Sequence, residues 1–168
     1  GNFGATKVLV VDSAEVSDHP VAPGAEILAS LIGTMQPAAV LVASSADGKE
    51  IGARAAIKSN CGIITDAVAI APDLTVTQNV FGGSTIVHSK VTHGTPIITL
   101  RPNSVSAVTE SVTAVIEHIS SDISDGAQLV SIVNRNVVEK GARPELAEAD
   151  VVVSGGRGVG GAEGFGVI

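Results

Sequence analysis

The residues whose types and spacing best suit a chemical role form a glycine-rich run near residue 160. The run reads SGGRGVGG over residues 154–161 and directly follows three valines at 151–153. Three successive β-branched residues predict a buried strand, and residues 162–165 could open a helix. A strand, a glycine loop and a helix start together form a common cradle for phosphate groups. Arg157 adds a permanent positive charge that can bind a phosphate through two hydrogen bonds.

The same loop allows two other interpretations. Residues 156–161 fit G-x-G-x-x-G, the dinucleotide fingerprint, but glycine-rich tracts meet this pattern by chance. The acidic residue expected about 20 positions further on would fall beyond Ile168, where the sequence ends. A flexible loop with an incidental arginine is the other alternative. Ser154 does not complete G-x-S-x-G, so a nucleophile elbow is not predicted.

Composition excludes several classes of protein. The chain has 168 residues, which suits one domain or slightly more. Its net charge of −7 argues against binding to nucleic acid or to anionic membranes. Three phenylalanines, with no tryptophan or tyrosine, leave few platforms for stacking bases. The chain has no apolar run near the roughly 18 residues that a membrane span needs, so direct insertion into a membrane is not expected.

The first sixty residues alternate between apolar runs and helical spacing. Residues 7–11 and 39–43 are continuous apolar runs that predict buried strands. Helices are predicted from about Pro23 to Met35 and over residues 49–59. This β-α-β-α order indicates a parallel sheet with helices on its faces.

After residue 60 the sequence predicts strands without intervening helices. The strand-like runs are 68–70, 74–81, 85–91 and 96–100. Gly82 and Gly83 predict a hairpin turn between the second and third runs. We therefore predict an α/β fold, a three-layer sandwich whose mainly parallel sheet carries added antiparallel strands, with 7–11, 39–43 and 96–100 in one sheet. Further strands are expected within 112–119 and over 129–133.

Several single residues have a structural rather than a chemical interpretation. Asp47 is expected to cap the second helix, and Gly62 to follow its last turn. Cys61 is the only cysteine, which excludes an internal disulfide, and its apolar neighbours predict a buried thiol. Arg54 is expected on a solvated helix face, and His88 on the solvent face of the hairpin. The four histidines have no metal-ligand spacing, so no metal site is predicted.

The run VVSGGRGV at 152–159, followed by Glu163 and Phe165, resembles the opening of the FAD domain in alpha subunits of the electron transfer flavoprotein family. Gly161 and Gly164 stand where that family more often has a serine and an asparagine. The resemblance extends along the chain to the family's second helix, its hairpin, a strand that ends in arginine and the linker into the FAD domain. The matching stretches are DGKE at 47–50, FGG at 81–83, PIITLRP at 96–102 and RPEL at 143–146.

The resemblance implies a domain organisation. Residues 1–141 would form an N-terminal α/β domain, residues 142–150 a linker, and residues 151–168 the beginning of an FAD-binding domain. The start of the first domain and most of the second are expected to lie outside this sequence. The family's other FAD contacts would then lie beyond Ile168, and the chain alone is expected to be inactive and to hold little or no FAD.

The resemblance also implies a function, that of an electron carrier rather than an enzyme. The complete protein would accept electrons from flavin dehydrogenases through FAD, as in fatty acid oxidation, and pass them to a respiratory acceptor through a membrane quinone oxidoreductase. It would pair with a beta subunit, and Arg157 would contact the FAD. The bacterial cytoplasm is the favoured location, with the mitochondrial matrix as the other. A Rossmann-type NAD-binding oxidoreductase and a subunit-interaction module without cofactor remain open alternatives.

Overall fold

The computed structural model describes residues 1–120, 122–136, 144, 146 and 149–167. The chain divides into two compact units, a first unit of Gly1–Val133 and a second unit of Asn134–Ile168. Most of the linker expected at 142–150 lies outside the described residues. Within the described part of the chain, no helix is both long and apolar enough to cross a bilayer.

The described residues of the first unit form three α-helices: α1 (Ala14–Ser17), α2 (Ala22–Met35) and α3 (Ala46–Ser59). The prediction of α2 is confirmed, with Pro23 in its first turn. Helix α3 begins earlier than predicted because Ser45, not Asp47, caps it. The Ser45 hydroxyl accepts a hydrogen bond from the Gly48 backbone N–H at 3.0 Å. Asn60, with a φ of 52°, ends α3 in the left-handed conformation that was expected of glycine.

A five-stranded mixed sheet forms the centre of the first unit. Its strands are β2 (Val40–Ala43), β3 (Ile63–Ile70), β4 (Val76–Val80), β5 (Thr85–Ser89) and β6 (Ile97–Leu100). They follow the order β2-β6-β3-β4-β5. Strand β6 is parallel to β2 and β3, whereas β4 is antiparallel to β3 and β5. The predicted α/β fold, its added antiparallel strands and the hairpin turn at Phe81–Gly83 are therefore confirmed.

The first strand, however, does not join this sheet. Strand β1 (Lys7–Val10) pairs in parallel with β7 (Val115–His118) in a separate two-stranded sheet. The Lys7 ammonium and the Glu117 carboxylate reinforce the pair at 2.8 Å. The prediction that 7–11 shares a sheet with 39–43 and 96–100 is therefore wrong, because β1 pairs with β7 instead.

Residues 129–133 were predicted as a strand and form none. The Ile132 backbone N–H donates to the Asp18 carbonyl at 2.8 Å. The Val130 carbonyl lies 2.7 Å from Nδ1 of His19. These two bonds tie the run to residues 18 and 19, and no described strand lies beside it.

The five-stranded sheet separates two apolar clusters, because successive side chains of a strand point to opposite faces. The cluster on the helix side contains Ile32, Ala55, Ala56 and Ile97. The cluster on the other face contains Ala67, Val76 and Ile98. Cys61 packs against the first cluster, as expected of a structural thiol, but it is half-buried rather than buried. Its Sγ donates to the Ser59 carbonyl at 3.4 Å, and it sits at the end of α3 rather than inside the sheet.

Glu26 on α2 links both long helices to a later loop. Its Oε1 accepts from Lys58 Nζ at 2.8 Å and from the Ser124 hydroxyl at 2.7 Å. Its Oε2 accepts from the Ser124 backbone N–H at 2.9 Å. The Lys58 hydrogen bond, with those from Ser124, lowers the pKa of Glu26 from 4.5 to about 2.

We expect Glu26 to make the chain acid-sensitive. A carboxylate whose pKa is lowered by folding stabilises the fold above its unfolded pKa, and this stability is lost between pH 4.5 and about 2. At about 1.4 kcal/mol per pKa unit, the upper limit of the Glu26 contribution to the free energy of unfolding is near 3 kcal/mol. Glu26→Gln should therefore destabilise the chain by about 1–3 kcal/mol at neutral pH and flatten its acid profile. Urea unfolding across a pH series measures both, with Glu15→Gln on α1 as the control. An unchanged acid slope in Glu26→Gln would contradict the assignment.

Candidate functional site

Arg157 lies in the second unit, where the glycine-rich run forms two short 3₁₀ turns. The turns span Arg157–Val159 and Ala162–Val167. The strand predicted at 151–154 is not formed. A strand gains its hydrogen bonds from a neighbouring strand, and none is present among the described residues of this unit. The predicted cradle of strand, loop and helix is therefore replaced by a loop with two turns.

Packing and backbone conformation both require glycine in this loop. Gly160 has a φ of 71°, a conformation that favours glycine. A Cβ added at Gly155 would lie 2.5 Å from the Val159 side chain and 2.6 Å from the Phe165 ring. A Cβ at Gly164 would collide with the Val159 carbonyl. One side of the loop is thus closed by Val159 and Phe165.

The other side of the loop, around Arg157, is open. The Arg157 side chain is exposed. A Cβ added at Gly156 or Gly158 would meet no heavy atom within 4 Å, so a ligand can approach the backbone on either side of Arg157. One guanidinium beside accessible backbone is a suitable donor set for a single phosphate group. Residues 159–164 line a separate open depression of about 410 Å³, to which Arg157 does not contribute.

The dinucleotide fingerprint at 156–161 does not have its usual structural context. That motif requires a strand before it and a helix that opens with it. Residues 151–167, all described, contain neither a strand nor an α-helix. The geometry therefore gives no support to a Rossmann-type NAD site in this loop.

A polar network at the carboxyl ends of β2 and β6, beside the middle of β3, was missed by the sequence analysis. Thr99 is fully buried, and its Oγ1 accepts from the Asp66 backbone N–H at 3.0 Å. The same hydroxyl donates to Ser44 Oγ at 3.0 Å, and Ser44 donates to Asp66 Oδ1 at 2.8 Å. Lys49 Nζ lies 2.8 Å from that carboxylate oxygen. These bonds fasten the ends of β2 and β6 and the middle of β3 to the first turn of α3.

Asp66 has an unusual backbone conformation in this network. Its φ is 59°, and the register of β3 against β6 shifts between Ile64 and Ala67. The hydrogen bond from Lys49, followed by that from Ser44, lowers the pKa of Asp66. In the described part of the chain, no buried side-chain nitrogen or oxygen is without a hydrogen-bond partner. The polar groups of the network are paired with one another, and the network holds β2, β3 and β6 together at this point.

Two residues expected at the surface are found there. Arg54 is exposed on α3 and pairs with Glu50 at 2.7 Å. His88 is exposed on β5, and its Nδ1 lies 3.1 Å from the Thr77 hydroxyl. Among the described residues, no cluster of three or more histidine, cysteine, aspartate or glutamate side chains could hold a metal ion. Neither Arg54 nor His88 forms part of a candidate site.

The chain is similar to known proteins over nearly its whole length. A family model of the electron transfer flavoprotein domain matches residues 1–124. The electron transfer flavoprotein subunit alpha of Mycobacterium leprae (strain TN) is 38% identical over 166 residues, covering 98% of this chain and 52% of the relative. The same subunit of Mycobacterium tuberculosis (strain ATCC 25618 / H37Rv) is 37% identical with the same coverage. That of Syntrophomonas wolfei is 32% identical over 97% of this chain and 52% of the relative.

The chain spans about half the length of the curated relatives that it matches. The family model nevertheless covers well over half of the chain, and the mixed α/β fold of the first unit agrees with the match. The chain therefore belongs to the electron transfer flavoprotein family, and its counterparts there are the alpha subunits.

Proposed function

We propose that this chain is part of an electron-carrier subunit that accepts electrons from flavin dehydrogenases through FAD and passes them to a respiratory acceptor. The match to alpha subunits over 98% of the chain is the observation that supports it. A match of that extent includes most of residues 151–168, and so the loop that carries Arg157. The proposal assigns residues 1–141 to a platform domain, 142–150 to a linker and 151–168 to the start of the FAD-binding domain.

Arg157 is the cofactor-binding residue in this proposal. Its exposed guanidinium would bind an anionic group of FAD through charge-assisted hydrogen bonds. The open backbone at Gly156 and Gly158 would let the cofactor approach closely. FAD supplies the redox chemistry, while the residues of the chain bind it and adjust its potential.

The proposal also includes partners and a location. The relatives of this chain are named alpha subunits. The complete protein is therefore expected to pair with a beta subunit. Flavin dehydrogenases would donate the electrons, and a membrane quinone oxidoreductase would accept them. The relatives compared above are bacterial, which favours the bacterial cytoplasm as the location.

Cofactor content tests this proposal directly. Residues 1–168 and the complete alpha subunit, the latter coexpressed with its beta subunit, would be purified, and the flavin released by denaturation would be identified by mass spectrometry. We expect the complex to carry FAD and residues 1–168 to be colourless, because one loop cannot enclose a dinucleotide. A complex without flavin would refute the proposal, whereas FAD bound stoichiometrically to residues 1–168 would contradict only the expectation that this chain alone is colourless.

A further inference from the structure

Phe165 packs back onto the glycine-rich loop that carries Arg157. A Cβ added at Gly155 would lie 2.6 Å from Cζ of the Phe165 ring and 2.5 Å from Cγ2 of Val159, so both side chains reach the same point of the backbone. The turn that contains Phe165 also contacts the turn that begins at Arg157. Side-chain packing therefore brings the two ends of this loop together.

The side chains that meet at Gly155 are more covered than the apolar residues just before the loop. Phe165 is 36% exposed and Val159 is half-buried, whereas the exposed fractions of the valines at 151, 152 and 153 are 79%, 52% and 63%. A short 3₁₀ turn has poor hydrogen-bond geometry and little stability of its own. The burial of apolar surface at this contact therefore stabilises the shape of the loop.

Val159 connects this contact to Arg157. The two residues belong to one 3₁₀ turn, in which the Gly160 N–H donates to the Arg157 carbonyl at 3.2 Å. The Val159 N–H donates to the Gly156 carbonyl at 3.1 Å. The backbone on both sides of Arg157 is thus fastened to the turn, and the turn is fastened to Phe165 through Val159.

The direction of the Arg157 side chain depends on this backbone. The side chain is exposed, and a Cβ at Gly156 or Gly158 would meet no heavy atom within 4 Å, so the neighbouring residues do not wall it in. Ordering a flexible group when a ligand binds costs free energy and lowers affinity. A loop that already has its bound shape avoids most of that cost.

We propose that Phe165 is a positioning residue for the cofactor site. Its ring, packed at Gly155 beside Val159, holds the loop in the shape that directs Arg157 at an anionic group of FAD. This inference rests on the proposed function, which assigns FAD to Arg157. It adds that packing within the loop shapes the site before the cofactor arrives, and that Phe165 acts through Arg157.

The FAD affinity of the complete alpha subunit, assembled with its beta subunit, tests this role. Phe165→Ala should weaken FAD binding about tenfold, because a loop that has its binding shape only about one tenth of the time binds about tenfold more weakly. Phe165→Leu keeps a large apolar side chain and should restore most of the affinity. Val108→Ala is the matched control, since Val108 is 80% exposed in the first unit, and it should bind FAD like the parent.

A double-mutant cycle separates positioning from a general loss of stability. In an Arg157→Ala background, Phe165→Ala should change the FAD affinity less than about twofold, because the side chain that it positions is already absent. Gly155→Ala crowds the same ring and should show the same dependence on Arg157. Circular dichroism and urea unfolding establish that each variant folds, and Gly155→Ala takes the place of Phe165→Ala in the cycle if the latter does not.

The same cycle distinguishes this inference from the proposed function. If the complex holds FAD and Arg157→Ala weakens it, but Phe165→Ala causes an equal loss in both backgrounds or no loss at all, only the positioning role is overturned. A complex without flavin, or one in which Arg157→Ala leaves the FAD affinity unchanged, would refute the assignment of FAD to Arg157 and the positioning role with it.

Discussion

Arg157→Ala in the complete alpha subunit, assembled with its beta subunit, is expected to weaken FAD binding about tenfold to a hundredfold. A hydrogen bond to a charged group contributes roughly 1.5–3 kcal/mol, which corresponds to that range. The Arg157 side chain is exposed beside open backbone at Gly156 and Gly158, so its loss should leave the loop itself unchanged. Quenching of flavin fluorescence, titrated against each variant, measures the dissociation constant.

Two further variants make this experiment specific. Arg157→Lys should restore only part of the affinity, because an ammonium cannot form the paired hydrogen bonds of a planar guanidinium. Arg54→Ala removes another exposed arginine, on α3, and should leave FAD binding unchanged. If Arg157→Ala binds FAD as tightly as the parent and keeps its reduction potential, the residue does not contact the cofactor.

Thr99→Val is expected to destabilise the first unit by about 1–3 kcal/mol, the usual cost of leaving a buried polar group without its partner. Valine matches threonine in shape, so the change removes only the hydroxyl. That hydroxyl accepts from the Asp66 backbone N–H and donates to Ser44. Its loss leaves the Asp66 amide unpaired in a strand whose conformation there is already strained, with a φ of 59°.

Thr99→Ser separates the hydrogen bonds from the packing. Serine keeps the hydroxyl and loses one methyl group, at a cost of about 0.5–1.5 kcal/mol. Hydrogen exchange of the Asp66 amide should accelerate in Thr99→Val and stay slow in Thr99→Ser. Urea unfolding gives the stabilities, with the exposed Thr92→Val as a surface control. Equal exchange rates in the two Thr99 variants would show that the network contributes nothing beyond shape.

Local sequence signals predicted the helices and the hairpin of the first unit because their determinants are close in the chain. Helix α2 follows from Pro23 and an apolar stripe, and the turn at Phe81–Gly83 follows from two glycines. The start of α3 was misplaced because Ser45 and Asp47 are both good caps, and only the geometry shows which one binds Gly48.

Long-range pairing could not be predicted in the same way. A strand was expected over residues 68–70, yet β3 spans Ile63–Ile70 and includes the polar Asp66. Thr99 and Ser44, 55 positions apart in the chain, satisfy the polar groups at that point. The run at 129–133 looked like a strand because composition does not reveal whether a partner strand exists.

For the candidate site, the sequence predicted which residues are involved but not the structure that surrounds them. The loop and Arg157 could be identified from the run at 154–161, since glycines around one arginine suit an anion. The expected strand and helix around it did not form, because they depend on neighbouring strands and on packing that residues 151–167 alone do not provide. Glycine is required at 155 because the side chains of Val159 and Phe165 lie against it, and at 164 because Val159 does. These contacts are visible only in the folded loop.

The pairing of β1 with β7 has a consequence for how the chain folds during synthesis. The ion pair across these strands joins residues 110 positions apart, and closing a loop of that length costs about 4 kcal/mol of chain entropy. Translation at roughly 5–20 residues per second separates the appearance of the two strands by on the order of 5–20 s. Throughout that interval the apolar β1 has left the ribosome without a partner. Strand β1 can therefore pair with β7 only after most of the first unit has been synthesised.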